Sequence, residues 1–346
     1  MAGFPYGRPE EDESKEKRIV KKSIILSALL IAAQVASFAA GGSDTGASDT
    51  KSAEPLYVAM IMKSYSGDFW KTVELGAKAA GTELGVRVTV EAPDSETNIE
   101  QQIKMVETAV IKGAKIIAIS VLDTKGLVPA IEQASAAGVK IITFNSQVAS
   151  ELPLTHVATD NWAAGVLAGK TLGELLGGKG KYAVIGAVEG VKNNRDRSDG
   201  AVDYIKKNFP EMKLITIQYT DNDLNKGLAI GSDIITANPD IAGFFSNNET
   251  TTISVATVLE EKRLIGKVKH VGFDATRQTV GFLNNGVTNA IVTQVPFNMG
   301  YMTIQRALES TKGMALEKVT DTGVALVTKE NLNTDKIQKI IDPLKK

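Results

Sequence analysis

Short apolar runs alternate with longer amphipathic segments from residue 56 almost to the end of the chain. The runs are nearly continuous in apolar residues, which indicates strands buried on both faces, as in parallel sheets covered by helices. We predict strands at residues 56–62, 86–92, 115–121, 139–145, 181–188, 213–220, 241–248, 268–274 and 289–295.

The segments between the runs have the spacing of helices. Residues 70–84, 98–113 and 162–177 carry apolar residues at helical intervals, and a glycine stands at or just after the end of each. Strict alternation of strand and helix predicts an α/β fold. Because so many strands exceed one ordinary open sheet, we expect two sheets of about five strands each. The polar residues at 159–161, and Pro296 directly after the last predicted strand, indicate where the chain changes sheet.

The N-terminal region has the order of a secretory signal. Basic residues 17–22 precede the apolar residues 23–35, and small residues follow at 36–42. We predict a signal peptide over 1–39, a flexible Gly- and Ser-rich tether over 40–55, and a periplasmic location. The alternative is an uncleaved membrane anchor, although the apolar core is shorter than the ~20 residues that span a bilayer.

Several classes of function are disfavoured by what the sequence lacks. The chain has no cysteine and two histidines, so thiolate chemistry, lipidation at cysteine, a histidine metal site and a histidine relay are not expected. A net charge of −1 gives no reason to expect nucleic acid as a partner. The segment GVLAGKT (165–171) lacks the first glycine of a phosphate-binding loop and is interpreted as helix packing. We predict no cofactor, no metal and no catalytic residues.

Polar residues recur where the predicted strands end. In open parallel sheets, ligands bind beyond the carboxyl ends of the strands. The residues at or after these ends are Lys63, Ser120, Asn145, Asn247, Asn248, Asp274 and Gln294, with Arg197 in the loop predicted after strand 181–188. Asn248 and Asp274 have an alternative interpretation as helix N-caps.

The chemistry of this set favours a neutral, polyhydroxylated ligand. Amides donate and accept hydrogen bonds, carboxylates accept, and a guanidinium donates, which together match hydroxyl groups that do both. An anionic ligand would call for more cations, and a quaternary amine for an aromatic cage.

The chain resembles the ribose-, allose- and galactose-binding periplasmic proteins of sugar ABC transporters over residues 56–327. The stretches that carry the resemblance are SGDFW (66–70), VATDN (157–161), NRDRSDG (194–200), NNE (247–249), VGFDAT (271–276) and VTQVP (292–296). It implies a type I periplasmic binding protein: α/β, with two Rossmann-like lobes whose parallel sheets are joined by a three-segment hinge. The implied lobes are 56–159 with 295–322, and 160–294 with 323–346.

The resemblance also implies roles for single residues. Phe69 and Trp70 match paired aromatics that sandwich the sugar ring, and Arg197 matches an arginine that binds ring hydroxyls. Together, the strand-end positions and the family resemblance predict a set of ligand-binding residues: Lys63, Phe69, Trp70, Ser120, Asn145, Arg197, Asn222, Asn248, Asp274 and Gln294.

Some positions depart from the family pattern. Asn145–Ser146 stand where ribose-binding members carry Asp-Arg, and Gly67 replaces an asparagine. Ser120 and Asn222 stand where the family often has asparagine and an aromatic. Lys63 matches a lysine of the allose-binding branch. These departures disfavour ribose as the ligand.

The implied function is a monomeric, non-catalytic receptor that closes on a neutral sugar or polyol and delivers it to an ABC transporter permease. A sugar-sensing partner of a chemoreceptor or sensor kinase is an alternative that uses the same site. The effector core of a LacI-like regulator shares the fold, but that class carries a helix-turn-helix where this chain has a signal-like segment.

Overall fold

The computed structural model describes residues 54–343, so the predicted signal peptide and most of the predicted tether lie outside the described residues. The strands of the described part are β1 (Tyr57–Ile61), β2 (Arg87–Glu91), β3 (Ile116–Ile119), β4 (Lys140–Phe144), β5 (His156–Ala158), β6 (Lys179–Gly186), β7 (Glu211–Tyr219), β8 (Ile241–Ser246), β9 (Lys269–Phe273), β10 (Ala290–Gln294), β11 (Val319–Asp321) and β12 (Val324–Val327).

Helices follow most of these strands. They are α1 (Asp68–Leu84), α2 (Ile99–Ile111), α3 (Val128–Ala136), α4 (Asn161–Leu175), α5 (Lys192–Asn208), α6 (Leu224–Ala237), α7 (Glu249–Glu261), α8 (Arg277–Asn285), α9 (Pro296–Thr311) and α10 (Asp335–Ile341). Among these helices, none combines the length and the apolar character needed to cross a membrane.

Every predicted strand segment overlaps an observed strand, with β6 and β7 beginning two residues earlier than predicted, and the three predicted helices correspond to α1, α2 and α4. The short strands β5, β11 and β12 were not predicted. Each has only three or four residues, which is too few for a periodic signal to emerge.

Two six-stranded sheets form the framework, as predicted for an α/β protein of two lobes. The first has the order β11-β5-β4-β3-β1-β2 and is parallel throughout. The second has the order β12-β10-β9-β8-β6-β7 and is parallel except for β12. Both therefore contain the same doubly wound arrangement, whose order reverses beside β1 in one sheet and beside β6 in the other.

Alternate residues of each central strand enter cores on opposite faces of the sheet. In β1, Val58 and Met60 pack beneath α1 and α9, while Ala59 and Ile61 pack on the side of α2 and α3. Because apolar side chains point to both faces of the sheet, helices cover both faces. Polar residues are then found at the carboxyl ends of the strands.

The chain passes between the two sheets three times: after β5, after β10, and between β11 and β12. Two of these passages lie side by side, because the Thr159 hydroxyl lies 3.2 Å from that of Thr322 and donates to the Gly323 carbonyl. The third leads into α9, whose Met299 and Ile304 are buried in the core of the first lobe. The lobe boundaries at 159/160, 294/295 and 322/323 stay predictions.

The segment 165–171 lies inside α4, as the helix-packing interpretation requires. Gly165 faces α5 so closely that a Cβ there would lie 2.3 Å from the backbone oxygen of Arg197. The missing side chain thus lets α4 and α5 approach, and this approach places Arg197.

Gly165→Ala is expected to lower the free energy of unfolding by about 1–3 kcal/mol, because the new methyl group overpacks the helix contact. Gly281→Ala is the matched control, since no described residue beyond its chain neighbours and its own helix backbone lies within 4 Å of a Cβ at that glycine. It should raise the free energy of unfolding by up to ~1 kcal/mol through helix propensity alone. Urea denaturation measures both, and equal shifts would contradict the account.

Candidate functional site

Most of the predicted ligand residues lie at or just after the carboxyl ends of strands, whereas Phe69 and Trp70 lie in α1. Arg197 lies within α5, so the loop predicted after strand 181–188 is helical from Lys192 onward. Lys63 and Ser120 follow β1 and β3, and Asn248 follows β8. Asn145, Asn222 and Asp274 have φ values of 57°, 57° and 64°, in the left-handed region that few non-glycine residues adopt. Such backbone geometry concentrates at functional sites, and Asn and Asp tolerate it best.

Phe69 and Trp70 form an aromatic wall on the first lobe. Both lie in the first turn of α1, both are 6% exposed, and their ring centroids lie 5.0 Å apart at an interplanar angle of 84°. Edge-to-face rings at that distance leave no room for a sugar between them, so the predicted sandwich by this pair is wrong. The pair can supply one apolar side of a site, which is supported from behind by Phe144.

Lys63 and Glu96 lie beside this wall. The Trp70 indole donates to a Glu96 carboxylate oxygen at 3.4 Å. Burial lowers the pKa of Lys63 to about 8, against the opposing charge of Glu96 and with a smaller contribution from Arg197. Burial likewise raises the pKa of Glu96, which Lys63, Trp70 and Arg197 oppose. Because Arg197 belongs to the second lobe, its charge acts on both groups from across the cleft.

Arg197 is the central cation of the second lobe and is 2% exposed. Its Nε donates to Asn161 Oδ1 at 2.8 Å, its Nη1 donates to the Asn247 carbonyl at 3.0 Å, and its guanidinium lies 4.1 Å from the ring centroid of Phe273. Burial lowers its pKa to about 10, opposed by Asp274 and Glu96. Its Nη2 is buried and has no hydrogen-bond partner within the described chain.

Asp274 and Gln294 form the acceptor side. Gln294 Nε2 donates to Asp274 Oδ1 at 2.8 Å, and the Glu249 backbone N–H donates to Asp274 Oδ2 at 3.2 Å. Burial raises the pKa of Asp274, and Arg197, Gln294 and Glu249 oppose that shift. The buried Gln294 Oε1 has no partner in the part of the chain that the structure describes.

The two helix-cap interpretations have different outcomes. Asn248 is the N-cap of α7, since its Oδ1 accepts from the Thr251 N–H at 2.9 Å. Its Nδ2 donates to Asn222 Oδ1 at 2.7 Å, so these two predicted site residues hold each other. Asp274 does not cap α8, the helix that follows it, because Thr276 occupies that position.

Asn145 and Ser146 join the first lobe to the second. Asn145 Oδ1 accepts from Ser120 Oγ and from Asn193 Nδ2, each at 3.3 Å. Ser146 Oγ also donates to Asn193 Oδ1 at 3.2 Å. The structure therefore places Ser120 and Asn145 in a neutral hydrogen-bond network between the lobes.

Four residues of this region were absent from the predicted set: Glu96, Asn161, Asn193 and Glu249. Glu96 follows β2, and Asn161 and Glu249 open helices at strand ends, so the strand-end rule applied to every strand would have included these three. Asn193 lies inside the first turn of α5, and no pattern in the sequence distinguishes it from Asn194.

The region between the lobes also contains a cavity, and both histidines of the chain are buried. A cavity of about 720 Å³ opens between the lobes and is lined by Glu96, Asn222 and Glu249 among others. His156 and His270 are buried, which lowers their pKa values to about 4 and about 3, and both contact Thr or Ser hydroxyls. Within residues 54–343, no group of three acidic, His or Cys side chains is placed to hold a metal.

Known proteins resemble the chain over most of its length. A family model described as "Periplasmic binding protein domain" matches residues 58–314. The D-ribose/D-allose-binding protein of Pseudomonas aeruginosa is 28% identical over 283 residues, 78% of this chain and 88% of its own.

Solved structures agree in fold. One is a carbohydrate transporter solute-binding protein from Agrobacterium radiobacter in complex with D-arabinose, which is 33% identical in sequence. The match covers 84% of this chain and 100% of that protein's chain, with a TM-score of 0.81. An ABC transporter solute-binding protein from Agrobacterium vitis with bound D-fucose is 30% identical, with 82% and 99% covered at a TM-score of 0.80.

Lys63→Met is expected to stabilise the fold near neutral pH. The folded-state pKa of about 8 lies below the ordinary 10.5, so the buried ammonium destabilises the folded state by an amount on the order of 3 kcal/mol. This destabilisation is complete below pH 8 and disappears as the pH rises toward 10.5, where the unfolded chain also loses the proton. Urea denaturation across this range should show the advantage of Lys63→Met shrinking, whereas exposed Lys104→Met should show no such trend.

Proposed function

This chain belongs to the periplasmic binding protein domain family, and we propose that it is the extracytoplasmic receptor of a sugar ABC transporter. It binds one neutral monosaccharide or polyol between its lobes and releases it to the permease. Its described relatives are binding proteins of sugar transporters, which supports a receptor without catalysis.

One observation carries the proposal. Within residues 54–343, Arg197 Nη2 is a buried donor without an acceptor, and Gln294 Oε1 is a buried acceptor without a donor. Both belong to the network around Asp274, because Gln294 is hydrogen-bonded to Asp274 and Arg197 opposes the rise in its pKa. A hydroxyl group both accepts and donates, so vicinal hydroxyls of a sugar satisfy both atoms. A ligand with the wrong stereochemistry leaves one of them unpaired, at about 1–3 kcal/mol.

The aromatic wall supports the same ligand class. A pyranose ring has faces of C–H groups, and the rings of Phe69 and Trp70 give such a face an apolar surface. Polar atoms on the second lobe and an aromatic wall on the first match the two-sided character of a sugar. On this proposal, tight binding needs both lobes.

The choice among sugars follows from the first lobe. Relatives are named for or solved with D-ribose, D-allose, D-arabinose and D-fucose. In this chain Asn145 and Ser146 are hydrogen-bonded to Asn193, where ribose-binding members carry a charged pair. Lys63, buried beside Glu96, adds a donor that matches the allose-binding branch. We infer that D-ribose binds more weakly than the preferred pentose or hexose.

The proposed cycle is a hinge motion. The sugar contacts groups of both lobes and so favours the closed arrangement over the open one. The permease then recognises the closed receptor. The proposed receptor is a monomer in the periplasm, exported by the predicted signal. Recognition of the same closed form by a chemoreceptor or sensor kinase is a second, compatible role. Measuring whether the sugar-bound protein binds the periplasmic domain of the chemoreceptor or kinase would test it.

Isothermal titration calorimetry against D-allose, D-arabinose, D-fucose, D-ribose and a neutral polyol should find at least one tight ligand, with D-ribose weaker. Gln294→Leu should weaken that ligand by at least about tenfold, because Asp274 and the sugar both lose a partner. Gln218→Leu is the matched control, since Gln218 is exposed on β7. If none of these sugars or polyols binds, the proposed ligand class is wrong.

A further inference from the structure

We propose that Glu249 is a positioning residue that fastens the second lobe to the first and thereby sets the balance between the open and closed receptor. It lies in the first turn of α7, and its side chain reaches the first turn of α1. This role stands apart from the identity of the sugar, because it rests on contacts between the lobes alone.

The contact is a carboxylate at a helix N-terminus. Glu249 Oε1 accepts from the Asp68 N–H at 3.1 Å, and Oε2 accepts from the Phe69 N–H at 3.3 Å. The first amides of a helix have no partner within the helix, and the helix dipole favours negative charge there. When the lobes separate, the carboxylate leaves these amides to water, so the contact exists only in the closed arrangement.

Gly67 makes room for this carboxylate. A Cβ at residue 67 would lie 2.3 Å from Glu249 Oε2. The backbone there has φ 86° and ψ 155°, a region that is essentially restricted to glycine. The sequence therefore provides a small residue on one lobe and a long acidic one on the other. This pairing gives the replacement of the family's asparagine by Gly67 a physical purpose.

Glu249 also connects the two halves of the proposed sugar site. Its backbone N–H donates to Asp274, which accepts from Gln294 through its other oxygen. Its side chain holds the amide of Phe69, the first ring of the aromatic wall. Glu249 thus links the position of the Asp274–Gln294 pair to the position of the aromatic wall.

The remaining contacts between the lobes described above differ in kind. Asn193 pairs with Asn145 and Ser146 through neutral amide and hydroxyl groups. Hydrogen bonds that involve an ionised group are roughly twice as strong as neutral ones. We therefore expect loss of Glu249 to shift the balance toward the open form, with the Asn193 contacts left intact.

Double electron–electron resonance tests this directly, because the chain has no cysteine of its own. Spin labels at Glu100→Cys and Asn225→Cys place one exposed probe on each lobe. Without sugar, Glu249→Ala should raise the population at the long, open distance relative to that at the short, closed distance by about tenfold. Glu249→Gln, which keeps one acceptor oxygen, should give a smaller rise, and Glu261→Ala at the exposed end of the same helix should give none.

Distance distributions of Glu249→Ala and Glu249→Gln that match the parent would overturn the proposal. Circular dichroism verifies that each variant is folded, and the near-isosteric Glu249→Gln remains informative if Glu249→Ala does not fold. Any sugar found by calorimetry should dissociate faster from Glu249→Gln than from the parent, with D-arabinose and D-allose as the probes used. The resonance arm needs no sugar, so a failed ligand proposal and a failed fastening role give different results.

Discussion

The burial of charged groups between two lobes is the constraint on which the rest of the structure depends. Lys63, Glu96, Arg197, Glu249 and Asp274 all have pKa values shifted toward the neutral form, with burial as the largest cause in every case. Charges of opposite sign oppose several of these shifts. The fold can therefore bury these charges together, whereas burying any one of them alone would be more destabilising. Such an arrangement weakens the fold and is maintained where function requires it.

The backbone brings these charges together by repeating one arrangement. Each sheet reverses its strand order at an equivalent point. The segments that follow β1 and β4 are hydrogen-bonded to those that follow β8 and β6. Glycines then set how closely the parts approach. Gly165 brings the backbone of Arg197 against α4, and Gly67 admits the carboxylate of Glu249. Small residues far apart in the sequence thus determine the position of the large charged ones.

Much of this could be predicted from the sequence, because buried parallel strands have a strong and continuous apolar pattern. The α/β class, the two sheets and the strand-end location of Lys63, Asp274 and Gln294 follow from that pattern. The family resemblance indicated Arg197, which lies within α5. The edge-to-face geometry of Phe69 and Trp70 could not be predicted. The two residues are adjacent at the start of a helix, and tertiary packing determines the angle between their rings. The role of Glu249 also escaped prediction, since its partners Asp68 and Phe69 are remote in sequence and are contacted through backbone amides.

The central claim is that the cleft holds one neutral sugar, and native mass spectrometry of the protein purified from its own source tests it most directly. The receptor should carry a single molecule with the mass of a neutral pentose, hexose or polyol, which is lost when the protein is denatured. A bound amino acid, peptide, nucleotide or metal ion in its place would contradict the account.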